Sequence, residues 1–410
     1  LMCHGFEEVK QMSSPHLFLS PRGILHGGGS LLKGMSTALQ IGGVLAHTPR
    51  VLVVTDPFLH SSALFPRLEE ALHSAGAQYH VWSDTQEDPT DQVVLRGLEV
   101  FRQKGPFDAI VAFGGGSPMD TCKAMNALGA QKQKPLRDMK VPYQVTDRLV
   151  PLVAIPTTAG TGSEVTRFCV ITDTQHDEKM LIAGPGCVPD VAIVDFELSM
   201  TQPPRLTADT GIDSLTHAIE AYVSKKRNHM SDVFALSAMS RINRNIRVAF
   251  SEPGNRHARE QMMLGAMEGG LAFGNASVCL VHGMSRPLGA FFHVPHGLSN
   301  AMLLPLVTEF SLSSCVDRYA DCARCMGVAS SNDSHEEAAH KLLDSLKCLN
   351  ADLQVPTPAD FGIDPARFQE VLGTMADQAL ASGSPSNNPR VPSQEEIIAL
   401  FQKSFHGAAL

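Results

Sequence analysis

The chain has 410 residues, 43% of them apolar and 18% charged, which supplies sizeable cores and excludes a disordered chain. At about 150 residues per domain, that length implies two or three domains. With 33 Lys plus Arg against 42 Asp plus Glu the formal charge is −9, so the basic footprint of a nucleic-acid binder is absent, and no polybasic run marks a membrane surface.

The first residues, Leu1-Met-Cys-His-Gly5, lack the basic, apolar and cleavage segments of a secretory signal. A glycine cluster at 27–29 precedes a helix from Leu31 and serves either a ligand's phosphates or a plain chain turn. Strands are read at 51–55, 79–82 and 109–113, with helices over 63–75 and 90–103 between them. Further strands follow at 152–155, 168–172 and 191–194. Apolar strands alternating with helices predict a parallel sheet covered on both faces. Beyond 195 the β-branched runs end. Helical periodicity over 207–224, 231–250 and 259–284, then 336–349, 365–381 and 393–405, predicts an all-helical second half. The domains are therefore set at 1–197 and 198–410, with a site expected in the cleft between them.

The stretch 262–284 approaches membrane-spanning length, but Glu268, Asn275 and His282 within it point to a buried helix. Nine cysteines, an odd count without framework spacing, predict a reducing compartment. The lone Cys322-Ala-Arg-Cys325 lacks the second pair a zinc knuckle needs and is read as structural.

Gly114-Gly-Gly-Ser-Pro-Met-Asp120 follows a strand and opens a helix through Lys123 and Ala127. Three glycines admit close backbone approach, and the helix start offers free N–H groups to a phosphate. Asp56, at the end of the first strand, stands where α/β nucleotide folds place an acid on the adenosine ribose. A carboxylate there repels a 2′-phosphate and favours NAD over NADP; Asp56 also suits a helix N-cap ahead of Pro57. Pro156-Thr-Thr-Ala-Gly-Thr-Gly-Ser-Glu164 follows another strand and offers a polar loop to the nucleotide.

Gly211-Ile-Asp-Ser-Leu-Thr-His-Ala-Ile-Glu220 is helical. Asp213 and His217 are four apart, so their Cβ atoms lie on one face about 5–6 Å apart. That spacing serves one divalent ion or a surface ion pair. On an unbroken helix His282 and His296 would stand about 21 Å apart and could not share an ion. Pro287, Gly289 and Pro295 are expected to break that helix, letting the chain fold back and start another near His296. One carboxylate and three imidazoles then converge, a set that suits Fe²⁺, Zn²⁺, Co²⁺ or Ni²⁺ without choosing among them. His60, His73 and His229 are read as surface residues.

These segments together resemble the iron-containing (group III) alcohol dehydrogenase family over nearly the whole chain. The resemblance implies a Rossmann-like α/β N-terminal domain and an all-α C-terminal domain of the dehydroquinate synthase-like fold. Iron, with zinc as the alternative, would sit in the cleft. It places metal ligands at Asp213, His217, His282 and His296, and nucleotide contacts at Asp56, Gly115, Gly116, Ser117, Asp120, Thr157, Thr158 and Lys179. Thr161 and Phe168 approach the nicotinamide and the substrate. A cytoplasmic homodimer or larger homo-oligomer is implied as well. One position departs. Many members carry a histidine four residues after the ligand matching His282, thought to relay the alcohol proton; here it is Arg286. A guanidinium stays protonated and is no ordinary general base. The proton then leaves through ribose hydroxyls and water, or through His293. Arg286 either binds an anionic substrate group or pairs with a structural carboxylate.

The expected function is metal-dependent, NAD(H)-linked interconversion of a primary alcohol and an aldehyde, the ion acting as Lewis acid on the substrate oxygen. Phe168, Phe273, Phe291 and Phe292 are candidates for an apolar pocket wall, and equally for plain core. The same scaffold also supports a maleylacetate reductase-like or hydroxyacid dehydrogenase-like enzyme acting on acidic oxo compounds or semialdehydes. A dehydroquinate synthase-type lyase that regenerates its NAD is the more distant alternative.

Overall fold

Short β-branched runs alternate with amphipathic segments through the first half, and they fold into strands and helices in turn. The strands are β1 (Gly23–His26), β2 (Arg50–Val54), β3 (Gln78–Trp82), β4 (Ala109–Gly114), β5 (Leu152–Pro156), β6 (Phe168–Asp173), β7 (Glu178–Ala183) and β8 (Val191–Val194). They belong to a computed structural model that describes residues 15–131, 134–176 and 178–406, so the N-terminal reading at residues 1–5 lies outside the described residues. Six strands pair in parallel in the order β1-β8-β5-β4-β2-β3.

The helices of this half are α1 (Ser30–Ile41), α2 (Pro57–His60), α3 (Phe65–Ser74), α4 (Asp91–Lys104) and α5 (Gly116–Ala130). Period-two alternation sends neighbouring residues of one strand to opposite faces. Leu52 and Val54 of β2 pack with Val93 and Met125 of α4 and α5, while Val51 and Val53 pack with Met35 and Leu68 of α1 and α3. Both faces are covered, as expected for a parallel sheet.

One strand departs from the reading above. The run at 168–172 does not join the parallel sheet; β6 pairs antiparallel with β7 in a separate hairpin, Phe168 opposite Ala183. Its alternating half-buried and buried residues fit a ribbon with one wet face, unlike the fully buried central strands.

The rest of the chain is helical: α6 (Pro204–Val223), α7 (His229–Ser251), α8 (Arg256–Ala276), α9 (Leu280–Phe292), α10 (His296–Ser311), α11 (Val316–Cys325), α12 (His335–Asp352), α13 (Pro358–Phe361), α14 (Pro365–Ala381) and α15 (Gln394–Phe405). Several begin at a polar residue that caps them. Asn228, Ser334 and Ser393 each close a capping box.

Two expectations about helix ends are corrected. The run 259–284 is not one helix, because the chain breaks after Ala276 and α8 and α9 meet at 104°. Ser277 takes φ 64° at the break, and Asn387 Nδ2 donates to Ser277 Oγ (3.2 Å) and Val278 O (3.0 Å). Pro287 and Gly289 do not break the next helix; both lie inside α9, which ends only at His293 in the left-handed conformation, φ 53°. Pro287 forgoes one helical hydrogen bond, and the four-residue offset sets its ring against the backbone of Gly283. Among the described residues no single helix is long and apolar enough to cross a membrane.

Candidate active site

The parallel sheet sets the nucleotide-side elements. From β2 the chain proceeds outward to β3, whereas β4 continues to β5 on the other side, so the connections diverge between β2 and β4. Crevices at such switch points, beyond the carboxyl ends of the strands, are where α/β sheets take ligands. Gly114-Gly-Gly116 follows β4 there. The N-cap Gly115 carries no side-chain cap, leaving the first N–H groups of α5 free. The threonine loop after β5 lies against these glycines: a Cβ on Gly116 would come within 3.0 Å of Thr161 Cγ2, and one on Gly115 within 3.4 Å of Thr158 Oγ1. Gly162, at φ 60°, seats that loop on α8, where a Cβ would lie 2.6 Å from Gly270 Cα.

Asp120 braces the same corner. Its carboxylate accepts from Ser163 Oγ (2.9 Å) and Val170 N (2.9 Å), and burial pushes its carboxyl up despite neighbouring Lys123. Buried Lys123 donates to Ser163 Oγ (2.8 Å), Thr166 Oγ1 (3.1 Å) and Phe168 O (2.8 Å). Asp56, across the switch point after β2, caps α2 by accepting from Leu59 N at 2.8 Å. The glycines at 27–29 make a chain turn, because the Asp195 carboxylate already accepts from Gly29 N (3.2 Å) and Leu31 N (3.1 Å) at the start of α1.

The second cluster comes from three helices. Asp213 and His217 share one face of α6, His282 stands in the first turn of α9, and His296 opens α10. Around Asp213 Oδ1 lie the Nε2 atoms of His282 (3.4 Å), His217 (3.8 Å) and His296 (3.9 Å). Donors held about 2.1 Å from one tetrahedral ion stand about 3.4 Å apart, so these spacings fit a single cation. Ligand atoms of Asp213, His217 and His282 all lie within 4.8 Å of one another, a candidate metal site.

The protonation pattern agrees with that fit. Burial pushes His217 down to about 3, leaving its imidazole neutral with a lone pair to offer; His296, on the open side of the cluster, is shifted in the same direction. Burial alone would raise Asp213, but the three imidazoles together hold its carboxyl well below the usual range. His282 is pushed down by burial yet raised overall by its two carboxylate partners, Asp213 and Glu220. His217 is clamped between the rings of Phe273 (4.0 Å) and His282 (4.5 Å).

Two residues that the sequence reading missed complete this cluster. Glu220 accepts from Cys279 N (2.9 Å), Val281 N (2.6 Å) and His282 Nδ1 (2.7 Å). Holding the proton on Nδ1 leaves Nε2 facing Asp213, the tautomer a metal-binding imidazole needs. Asn300, fully buried, donates Nδ2 to Asp213 Oδ1 at 2.6 Å and lies 3.2 and 3.3 Å from the Nε2 atoms of His282 and His296. Helical spacing was the available signal, since Glu220 follows His217 by three residues and Asn300 follows His296 by four.

A single cavity joins the two clusters. Its wall includes Gly116, Ser117, Asp120, Thr161, Phe168 and Lys179 on the sheet side, then Asp213, His217, Phe273, His282, Arg286, His296 and Ser384. Gly115, Thr157, Thr158 and Asp56 stand at the strand ends behind it, outside the lining. Lys179 donates to Asp88 at 2.8 Å. His293 does not reach the cavity; it is exposed at the C-cap of α9. Phe168 and Phe273 line the wall, whereas Phe291 and Phe292 pack on the helical core, Phe292 against Phe368. Arg286 is half-buried with no carboxylate partner among the described residues, and donates to Ser384 Oγ at 3.1 Å. His60, His73 and His229 are exposed, as expected.

A switch-point crevice that opens onto a buried carboxylate and three imidazoles defines a nucleotide-linked oxidoreductase with a metal centre. Residues 28–196 match the family model of iron-containing alcohol dehydrogenases, and residues 207–405 match the C-terminal model of the Fe-containing alcohol dehydrogenase family. The chain is 35% identical over 398 residues to an NADPH-dependent butanol dehydrogenase of Clostridium saccharobutylicum, covering 95% of this chain and 98% of that one. A crystal structure of 1,3-propanediol oxidoreductase superposes with TM-score 0.89 at 34% identity, over 96% of this chain and 100% of the other. Sulfoacetaldehyde reductase from Bifidobacterium kashiwanohense, in complex with NAD⁺, superposes with TM-score 0.83 at 27% identity, over 95% and 99%. The protein belongs to the iron-containing alcohol dehydrogenase family. It is an enzyme that interconverts alcohols and aldehydes, using a metal and a nicotinamide nucleotide.

Proposed function

We propose that Asp213, His217, His282 and His296 hold one divalent ion, iron foremost and zinc as the alternative, and that the enzyme uses NAD(H) on a primary alcohol and its aldehyde. The observation that carries this reading is the Glu220–His282 hydrogen bond (2.7 Å), which engages Nδ1 and turns Nε2 toward the carboxylate shared with two other imidazoles. When bound, the ion supplies Lewis acidity toward the substrate oxygen, and the nicotinamide supplies or takes the hydride.

The chain's own residues do the rest. Gly115, Gly116 and Ser117, with the free N–H groups of α5, receive the nucleotide's phosphates. Thr157, Thr158 and Thr161 face them from the opposing loop, with Lys179 at the cavity rim. Asp120 keeps the two loops in register through Ser163 and Val170. Asp56 at the ribose position supports NAD over NADP, its carboxylate being set across the switch point from the phosphate loop. Phe168 and Phe273 exclude water beside the metal cluster. Arg286 cannot accept a proton, and His293 lies outside the cavity. The route left for the alcohol proton is the one through the ribose hydroxyls and water, on the open side of the cluster at His296, whose side chain is 43% exposed.

The same reading divides the chain at 197/198, a division supported by the family models that end and begin on either side of it. It includes a homodimer or larger homo-oligomer, expected from the family, and a cytoplasmic setting. The eight cysteines among the described residues are unpaired, which suits a reducing compartment.

The test is elemental analysis of purified protein, followed by an alcohol and aldehyde panel with NAD(H) and NADP(H) at 340 nm. Near-stoichiometric metal and chelator-sensitive turnover are expected. Unimpaired turnover after complete metal removal would overturn the ligand assignment. Substrate consumption with no net absorbance change would indicate the lyase instead.

A further inference from the structure

Resting on that dehydrogenase reading, we infer that the substrate is a short aldehyde, or the matching alcohol, whose remote end carries a compact oxyanion, and that Arg286 binds this anion. Arg286 follows His282 by one helical turn on α9, on the same face and about 5–6 Å away at Cβ. Both side chains line the cavity. A carbonyl at the metal cluster and an anion at the guanidinium are thus spanned by a chain of about two to four carbons.

The charge of Arg286 is uncompensated by the protein. Most other partly buried arginines meet carboxylates, among them Arg148 with Asp190 (2.9 Å), Arg241 with Glu268 (3.1 Å) and Arg318 with Asp232 (2.9 Å); Arg167 does not, and lies over the Phe168 ring (5.3 Å) outside the cavity lining. Arg259 has no carboxylate but is saturated by Thr207 Oγ1, Gln202 O and Pro253 O. Among the described residues Arg286 reaches only the Ser384 hydroxyl, leaving most of its five donors for the cavity. Glu220, the acid that acts on it electrostatically, is committed to Cys279 N, Val281 N and His282 Nδ1. Lys179, the other cation on the cavity wall, is answered by Asp88 at 2.8 Å. A half-buried cation without a charged partner is left to find one in the cavity, and a planar fork fits a carboxylate or sulfonate through two parallel hydrogen bonds. The anion takes no part in the electron balance: hydride passes to the carbonyl carbon and a proton to its oxygen.

The experiment compares succinate semialdehyde and sulfoacetaldehyde with pentanal and propanal, as kcat/KM on the metal-loaded enzyme with the nucleotide that supports turnover. The wild type is expected to favour an anionic substrate over its neutral counterpart by about 10-fold or more, the two anions reporting carboxylate against sulfonate. Arg286→Met is expected to reduce that anionic-to-neutral ratio about 100-fold, with Arg286→Lys between, as for loss of a charge-assisted hydrogen-bonded pair. A readout without turnover is thermal stabilisation of the metal-loaded protein by butyrate or propanesulfonate, expected in the wild type and lost in Arg286→Met. A ratio unchanged by Arg286→Met, or equal losses for charged and neutral substrates together with a raised KM for the nucleotide, would overturn the inference. Reduction of neutral aldehydes alone would sink it while leaving the dehydrogenase reading intact. Failure to reduce any aldehyde would remove both.

Discussion

Replacing Glu220 by glutamine separates a structural from a metal-positioning role. Glu220 Oε1 accepts from Val281 N, while Oε2 accepts from Cys279 N and His282 Nδ1. Glutamine keeps the shape but turns one oxygen into a donor. In the better orientation its amide oxygen serves Cys279 and His282, and its NH₂ confronts the Val281 N–H. That buried orphan donor costs about 1–3 kcal/mol of stability. His282 keeps its tautomer but trades a charged acceptor for a neutral one, roughly halving the hydrogen bond. In the other orientation the NH₂ faces Nδ1, which favours a proton on Nε2 and blocks the proposed ligand atom. Loss of such outer support costs about 10–100-fold in metal affinity, or about 1.4–2.7 kcal/mol. The assay is competition of Zn²⁺ or Co²⁺ between the protein and a chromophoric chelator, beside thermal denaturation of the metal-free form. A raised Kd with a modestly lowered Tm is expected. A lowered Tm with wild-type metal affinity would show that Glu220 only caps α9, and the tautomer argument would fail.

Two further predictions concern the nucleotide side. Burial raises Glu164 to about 7 from an ordinary 4.5, with Lys123 partly opposing. Between those values the unfolded chain ionises while the folded chain keeps its proton, so stability falls as pH rises through that window and levels off above it. Urea denaturation at pH 5 and pH 8 should show wild type losing about 2–3 kcal/mol relative to Glu164→Gln, whereas parallel behaviour would refute the burial argument. Gly162→Ala forces a side chain into φ 60° with its Cβ 2.6 Å from Gly270 Cα. Left-handed strain and overpacking together should cost about 2–5 kcal/mol, and a Tm within 1 °C of wild type would show that the loop yields freely.

Legibility in the sequence followed the range of the interactions involved. Local signals are legible: Asp56 caps α2, the helices read from Thr90 and Ser393 start at those residues, and the motif at 114–120 sits on the β4–α5 turn. The four convergent side chains were also legible, because two share a helical face and the other two required only a break between them. Of the three residues expected to make that break, Pro295 stands in it as the N-cap of α10, whereas Pro287 and Gly289 stay inside α9. The separate break after Ala276 is not legible, because Ser277 has no breaker signature and Asn387, 110 positions away, holds its hydroxyl. The β6–β7 hairpin was misassigned because apolar content alone cannot distinguish a sheet strand from an outlying ribbon. The strand β1, four residues long, carried too little pattern to register.

The break after Ala276 explains how His282 is held in the cluster. A continuous helix through residues 276–284 would pair the N–H groups of Cys279 and Val281 with carbonyls one turn back. The 104° turn frees them as the first donors of α9, and Glu220 from α6 takes both together with His282 Nδ1. One buried carboxylate therefore caps the helix, ties it to α6 and orients the imidazole in its first turn. The cap makes the position of His282 a consequence of where α9 begins, and Arg286, one turn further on, inherits the same placement. Shifting the start of α9 by one residue would rotate both side chains by about 100° and take them off the cavity wall. The selectivity proposed for Arg286 and the metal binding proposed for His282 thus depend on a single helix start, held by Glu220 on one side and Asn387 on the other.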